Sequence, residues 1–189
     1  MSSHHIVREK QEPALLLLSL EGFDDEQLGQ LLEWSPTVMA TPLVAEQLNA
    51  FGIKIDWIVG DDAAADIQSD IKYLRTGGRP AHIAAFDYLV DKGYPSVNVV
   101  TDEFELDQYL PYAARITLVV FYQQQKIYGV ESGFSKWKPA GDAIKIISHP
   151  KNLKTQGLTK IDQNTYKTEA DGFFSLTFDD KLLFIAESL

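Results

Sequence analysis

The sequence predicts an α/β fold, a mostly parallel α/β (Rossmann-like) sheet domain followed by a small antiparallel β-sandwich-like domain. Up to about residue 110, apolar runs of strand length alternate with segments whose apolar residues recur at helical spacing, the grammar of βαβ units. From Arg115 onward only strand-like runs remain, separated by turns rich in Gln, Gly, Asn and Asp. The chain has 189 residues, 45% of them hydrophobic, which is enough for two small cores. The expected domains are 1–125 and 126–189.

The elements follow in order. Ala14 to Leu20 is almost wholly apolar, as a strand buried on both faces of a parallel sheet is. Asp24 is a good N-cap for a helix carrying Leu28, Leu31 and Leu32, closed by Pro36. A short strand near Val38 leads to Pro42 in the first turn of a helix bearing Leu43, Val44 and Leu48, with Gly52 at its C-terminal end. Ile53–Val59 reads as the next strand, and Ile71–Leu74 as a short one. Pro80 opens a helix with Ile83, Phe86, Leu89 and Val90 on one face, ended by Gly93. Val97–Val100 is a strand, and Glu103–Leu110 a short acidic helical stretch. The β half is expected to use 116–122, 127–130, 143–147, 166–168, 173–178 and 182–186, with a hairpin turn at Asp179-Asp180.

Charge narrows the partners. Lys and Arg number 17 against 27 for Asp and Glu, a formal charge of -10. Such a surface repels a phosphate backbone and gains nothing from counterion release, so neither nucleic acid nor an anionic membrane is an expected partner. There are no cysteines, which rules out disulfides, thiolate nucleophiles and cysteine metal sites. The polar opening Met1–Glu12 carries no apolar signal core, and the expected location is cytoplasmic. His4 and His5 receive no role.

Three pieces of sequence carry a resemblance. Ile53-Lys-Ile-Asp-Trp-Ile-Val-Gly-Asp61, Phe86-Asp-Tyr-Leu-Val-Asp-Lys-Gly93 and Phe134-Ser-Lys-Trp-Lys-Pro-Ala-Gly141 with Ala143–Ile147 occur in one order and spacing. Together they resemble thiamine pyrophosphokinases across roughly residues 12–150. The resemblance implies a homodimer of α/β and β-sandwich domains that transfers pyrophosphate from ATP, through Mg, to thiamine. Magnesium needs hard oxygen ligands, chiefly carboxylates.

Those carboxylates are where the chain departs from the family. The family's Gly-Asp-Phe-Asp-Ser loop falls on Gly60-Asp61-Asp62-Ala63-Ala64, which keeps Asp61 as the implied metal ligand and loses the second aspartate and the serine. Its Lys-x-Thr-Asp pattern falls on Arg79, Pro80 and Ala81, and its Asp-Gly turn near Pro42 and Leu43. Its Gly-Gly-Arg-x-Asp-His signature falls on Glu103–Gln108, where only Asp107 corresponds. Its Ser-Asn motif has no match between Leu158 and Phe173. Removing one charge-stabilising group typically costs a factor of about 10²–10³. Losing several that act together predicts a catalytically silent relative, a binding or interaction module for which no cofactor is certain. Mg and ATP are expected only if activity is retained, in which case Asp61, Asp62, Glu103 and Asp107 must converge on a metal. Thiamine or a nucleotide remains a candidate ligand, and an active relative a candidate partner.

Other candidates have bland readings beside the sharp ones. Asp61 and Asp62 are either a remnant metal site or a solvated loop capping the sheet. Thr76-Gly77-Gly78-Arg79 is either a phosphate loop or a plain turn. His82, with no partner evident in sequence, reads as surface decoration. Trp57 reads as core. Trp137, between two lysines, is a candidate stacking residue or a dimer contact. Tyr109, Tyr112 and Tyr122 show no pattern. Ser19 and Ser132 lack a readable triad.

Overall fold

The apolar run at Ala14 becomes β1 (Ala14–Leu17), whose four side chains are fully buried. It lies between β5 and β2 in a run of parallel strands with β2 (Val38–Ala40), β3 (Trp57–Val59), β4 (Lys72–Leu74) and β5 (Ser96–Val100), in the order β5-β1-β2-β3-β4. The computed structural model describes residues 13–34, 37–62 and 68–189. Met1–Glu12, the helix stop at Pro36 and the loop positions Ala63 and Ala64 lie outside the described residues. The chain forms two compact units that divide between Leu118 and Val119.

Helices α1 (Asp25–Leu32), α2 (Pro42–Ala50), α3 (Ala81–Asp91) and α4 (Leu106–Ala113) connect the strands of the first unit. The Asp24 carboxylate caps α1 by accepting from the Glu26 amide at 2.8 Å and the Gln27 amide at 3.3 Å. Pro42 opens α2, and Gly52 beyond it adopts φ +70°.

Two elements differ from expectation. The strand expected from Ile53 begins only at Trp57. Ahead of it, the Gln68 side chain accepts from the Ile55 amide (3.1 Å) and donates to the Ile53 carbonyl (2.8 Å), so side chains satisfy backbone that a ladder would otherwise use. The helix expected from Glu103 starts at Leu106. The Thr101 hydroxyl donates to the Glu103 carbonyl (2.8 Å) and accepts its amide (3.2 Å), which holds that stretch in a local turn.

The second unit is a sandwich of two antiparallel sheets. The larger contains β6 (Thr117–Tyr122), β7 (Gln125–Val130), β9 (Ala143–Ile146), β11 (Leu158–Lys160), β12 (Thr165–Thr168) and β14 (Leu183–Ser188), in the order β6-β7-β14-β9-β12-β11. The smaller has the order β8-β13-β10, from β8 (Phe134–Lys138), β13 (Gly172–Thr177) and β10 (Lys154–Gln156). Its core is drawn from both sheets, with Ile144, Ile146, Leu158 and Ile185 against Phe174 and Leu176.

Strands β8, β10 and β11 have no counterpart among the expected ones, and the expected Asp179-Asp180 hairpin is corrected. β13 and β14, on either side of it, belong to different sheets. The two aspartates instead tie a sheet-to-sheet corner to the neighbouring turn. Lys151 N donates to Asp180 at 2.5 Å and Asn152 Nδ2 to Asp179 at 2.5 Å.

Candidate functional site

Open parallel sheets take their ligands beyond the C-terminal ends of the strands. Asp61 and Thr76 lie there, two residues past β3 and β4 respectively. Gly60 lets this corner close, since a Cβ there would stand 2.8 Å from Pro42 Cγ at the start of α2.

The structure brings Asp61 and the Thr76–Arg79 loop together directly. One carboxylate oxygen accepts from the amides of Thr76 (2.8 Å) and Gly77 (3.0 Å). The other accepts from the Thr76 hydroxyl (2.6 Å) and the Gly78 amide (2.8 Å). A carboxylate has about four acceptor positions, and here each meets a donor. The Thr76 hydroxyl, then the Gly78 and Gly77 amides, hold the Asp61 carboxyl far below the ordinary carboxylate range. The Arg75 guanidinium donates to the Asp61 carbonyl. Arg79 donates to the Thr76 carbonyl (3.3 Å) and pairs with Asp87 on α3 at 2.7 Å. Asp87 also accepts from the Tyr112 hydroxyl of α4 at 2.9 Å.

Asp62 is exposed on the same loop, and Asp107 is exposed in the first turn of α4. Among the described residues, no three His, Asp or Glu side chains are grouped to hold a metal ion. With both Asp61 oxygens turned to the loop's donors, the described residues do not fit a magnesium ion.

His82 is not surface decoration. It is half-buried at the start of α3, stacked on Tyr109 with ring centroids 5.4 Å apart and edge-on to Phe86 at 5.9 Å. Among the described residues its Nε2 has no hydrogen-bond partner, and burial pushes its pKa below the ordinary histidine value. Tyr109 and Tyr112, three apart on α4, both pack on Phe86. Trp57, expected in the core, is half-buried and packs against Tyr88 at 4.6 Å.

Sequence reasoning missed a charged cluster inside the sandwich. Glu187 on β14 is 4% exposed. Lys136 Nζ donates to both its oxygens (2.9 and 2.7 Å), Lys138 Nζ lies 3.0 Å away, and the Tyr128 hydroxyl donates to it as well. Lys138 also pairs with Asp142 at 3.1 Å. Burial pushes the Glu187 pKa up, but the bonds from Lys136, Tyr128 and Lys138 outweigh it and the net shift is downward. The period-2 pattern of Phe134, Lys136 and Lys138 was a readable signal that these lysines share the inner face.

Trp137 points the opposite way. It is 53% exposed and directly opposite Phe173, itself 72% exposed. Around them on the same face lie Ser135, Ser175, Gln156 and Lys154, so the strand positions of this face carry no carboxylate.

No protein-family model matches the chain. Solved structures do. Thiamine pyrophosphokinase from Bacillus subtilis superposes with a TM-score of 0.62 at 13% identity, over 94% of this chain and 99% of that one. The enzyme from Candida albicans gives 0.67 at 12% identity, over 93% and 90%. A probable thiamine pyrophosphokinase from Staphylococcus saprophyticus gives 0.64 at 18%, over 93% and 98%. The chain has the thiamine pyrophosphokinase fold.

Proposed function

We propose that this chain is a catalytically silent protein of the thiamine pyrophosphokinase fold that acts as an interaction module and pairs with a second copy through its β unit. One observation carries the silent reading. Asp61, the aspartate that the resemblance makes a metal ligand, has all its acceptor positions taken by Thr76, Gly77 and Gly78. A magnesium ion would have to displace several of those bonds, and no grouped carboxylates among the described residues stand ready to share it. The interaction reading is supported by the exposed Trp137–Phe173 pair, since large apolar side chains side by side on a surface mark contact sites.

The test is turnover. Incubating the purified chain with ATP, magnesium and thiamine should release no AMP and form no thiamine diphosphate above a protein-free control. Thermal unfolding should show no magnesium-dependent shift with ATP, although a ligand at a hundred times its dissociation constant adds about 2.7 kcal/mol. Release of AMP in step with thiamine diphosphate would overturn the silent reading and make the chain a divergent active enzyme.

A further inference from the structure

We propose that the Thr76–Arg79 loop is a seat for a small oxyanion, occupied by the chain's own Asp61 carboxylate, which opens to a free carboxylate or phosphate when that side chain is removed.

The donors are the first ground. The amides of Thr76, Gly77 and Gly78 and the Thr76 hydroxyl converge on one carboxylate at 2.6–3.0 Å. Successive backbone amides aimed at one point form an anion-binding concavity whatever anion fills it. The backbone is committed to that shape. Gly77 and Gly78 adopt φ +62° and +76°, a conformation costly for other residues. Their glycine identity answers conformation and not crowding, because a Cβ on either would meet none of the described residues within 4 Å. Both glycines are exposed.

The electrostatic setting is the second ground. The chain carries a formal charge of -10, yet this loop lies between two arginines. Arg75 donates to the Asp61 carbonyl and Arg79 to the Thr76 carbonyl. Asp61 is exposed, so its carboxylate is held by these donors and not by packing. A free anion presenting two oxygens would meet the same four donors.

The alternative is a simple structural tie, in which the loop relaxes once the carboxylate is lost and no anion restores it. Asp61→Ala separates the two. Its melting temperature should fall in sodium chloride and recover by several degrees in sodium formate or phosphate at matched ionic strength. Wild type should show only the general salt effect of each anion. The amide resonances of Gly77 and Gly78 should move on adding formate or phosphate to the variant and stay still in wild type. Recovery by formate and phosphate alike would define a general oxyanion seat, and recovery by phosphate alone a narrower one. Thr76→Val combined with Asp61→Ala removes the hydroxyl donor and should weaken the rescue. If Asp61→Ala does not fold in chloride, refolding yield in formate against chloride gives the same reading. Equal responses of variant and wild type, or unmoved glycine amides in both, would overturn the proposal. The seat does not depend on whether the chain turns over substrate, so its failure would leave the silent reading in place.

Discussion

At the scale of single residues, the most consequential side chain outside the loop is Glu187. It is buried between two lysines and a tyrosine, and removing one member of such a set leaves charge without compensation. Glu187→Gln should therefore destabilise the chain by about 3 kcal/mol, read as a lowered denaturation midpoint. Lys136→Met should cost less, because Lys136 is 37% exposed and Lys138 still faces the carboxylate. The pKa of Glu187 is lowered in the fold, so the stability it contributes is present above the ordinary glutamate value and is lost as pH falls through the folded one. Glu187→Gln should flatten that acid limb. His82 has the same pH sense for a different reason. Burial disfavours its charged form, so the unfolded chain binds the proton more readily and stability falls as pH drops below the ordinary histidine value. Glu105 and Gln108 on the α4 side oppose that shift without reversing it. Comparing thermal unfolding at about pH 8 and about pH 5, His82→Phe should lose less stability than wild type.

At the scale of elements, the hairpin between β6 and β7 carries a correctable strain. Gln123 and Gln124 both adopt positive φ, +48° and +59°, in a two-residue turn. That geometry suits the strand twist but favours Asn-Gly over two long side chains. Replacing the pair with Asn-Gly relieves left-handed strain and should raise stability by about 1 kcal/mol, measured by denaturant unfolding. This turn also shows where sequence reading succeeds and where it stops. β1 was legible because four consecutive apolar residues admit few other fates, and the ends of α2 and α3 because Gly52 and Gly93 stand where positive φ is needed. β10 and β11 were illegible because they are three residues long and mostly polar. The Asp179-Asp180 corner looked like a hairpin because turn chemistry is local, whereas the choice of sheet is made by distant partners. The candidate site divides the same way. Asp61 and the glycine loop were each visible as motifs. Their mutual hydrogen bonding was not, because a carboxylate meeting amides fifteen residues on leaves no periodic trace.

At the scale of the whole molecule, charge decides which face can meet another copy. Two chains each carrying -10 repel unless the surfaces that touch are free of carboxylates. The outer face of β8, β13 and β10 meets that condition, with Ser135, Gln156 and Ser175 around the aromatic pair and Lys154 adding positive charge. Among the described residues no helix is long and apolar enough to cross a membrane. The face also inverts the usual order of a sandwich strand, with Lys136 and Lys138 turned inward while Trp137 stands outside. An exposed aromatic pair of this kind has the rigid, low-entropy contact area that the proposed pairing of two copies would use. Trp137→Asp combined with Phe173→Asp should therefore convert the proposed dimer into a monomer in sizing with light scattering. Because both side chains are largely exposed, the fold of each protomer should be retained, as read by its circular dichroism spectrum. A wild-type chain that is already monomeric at micromolar concentration would remove the second copy as the occupant of this face.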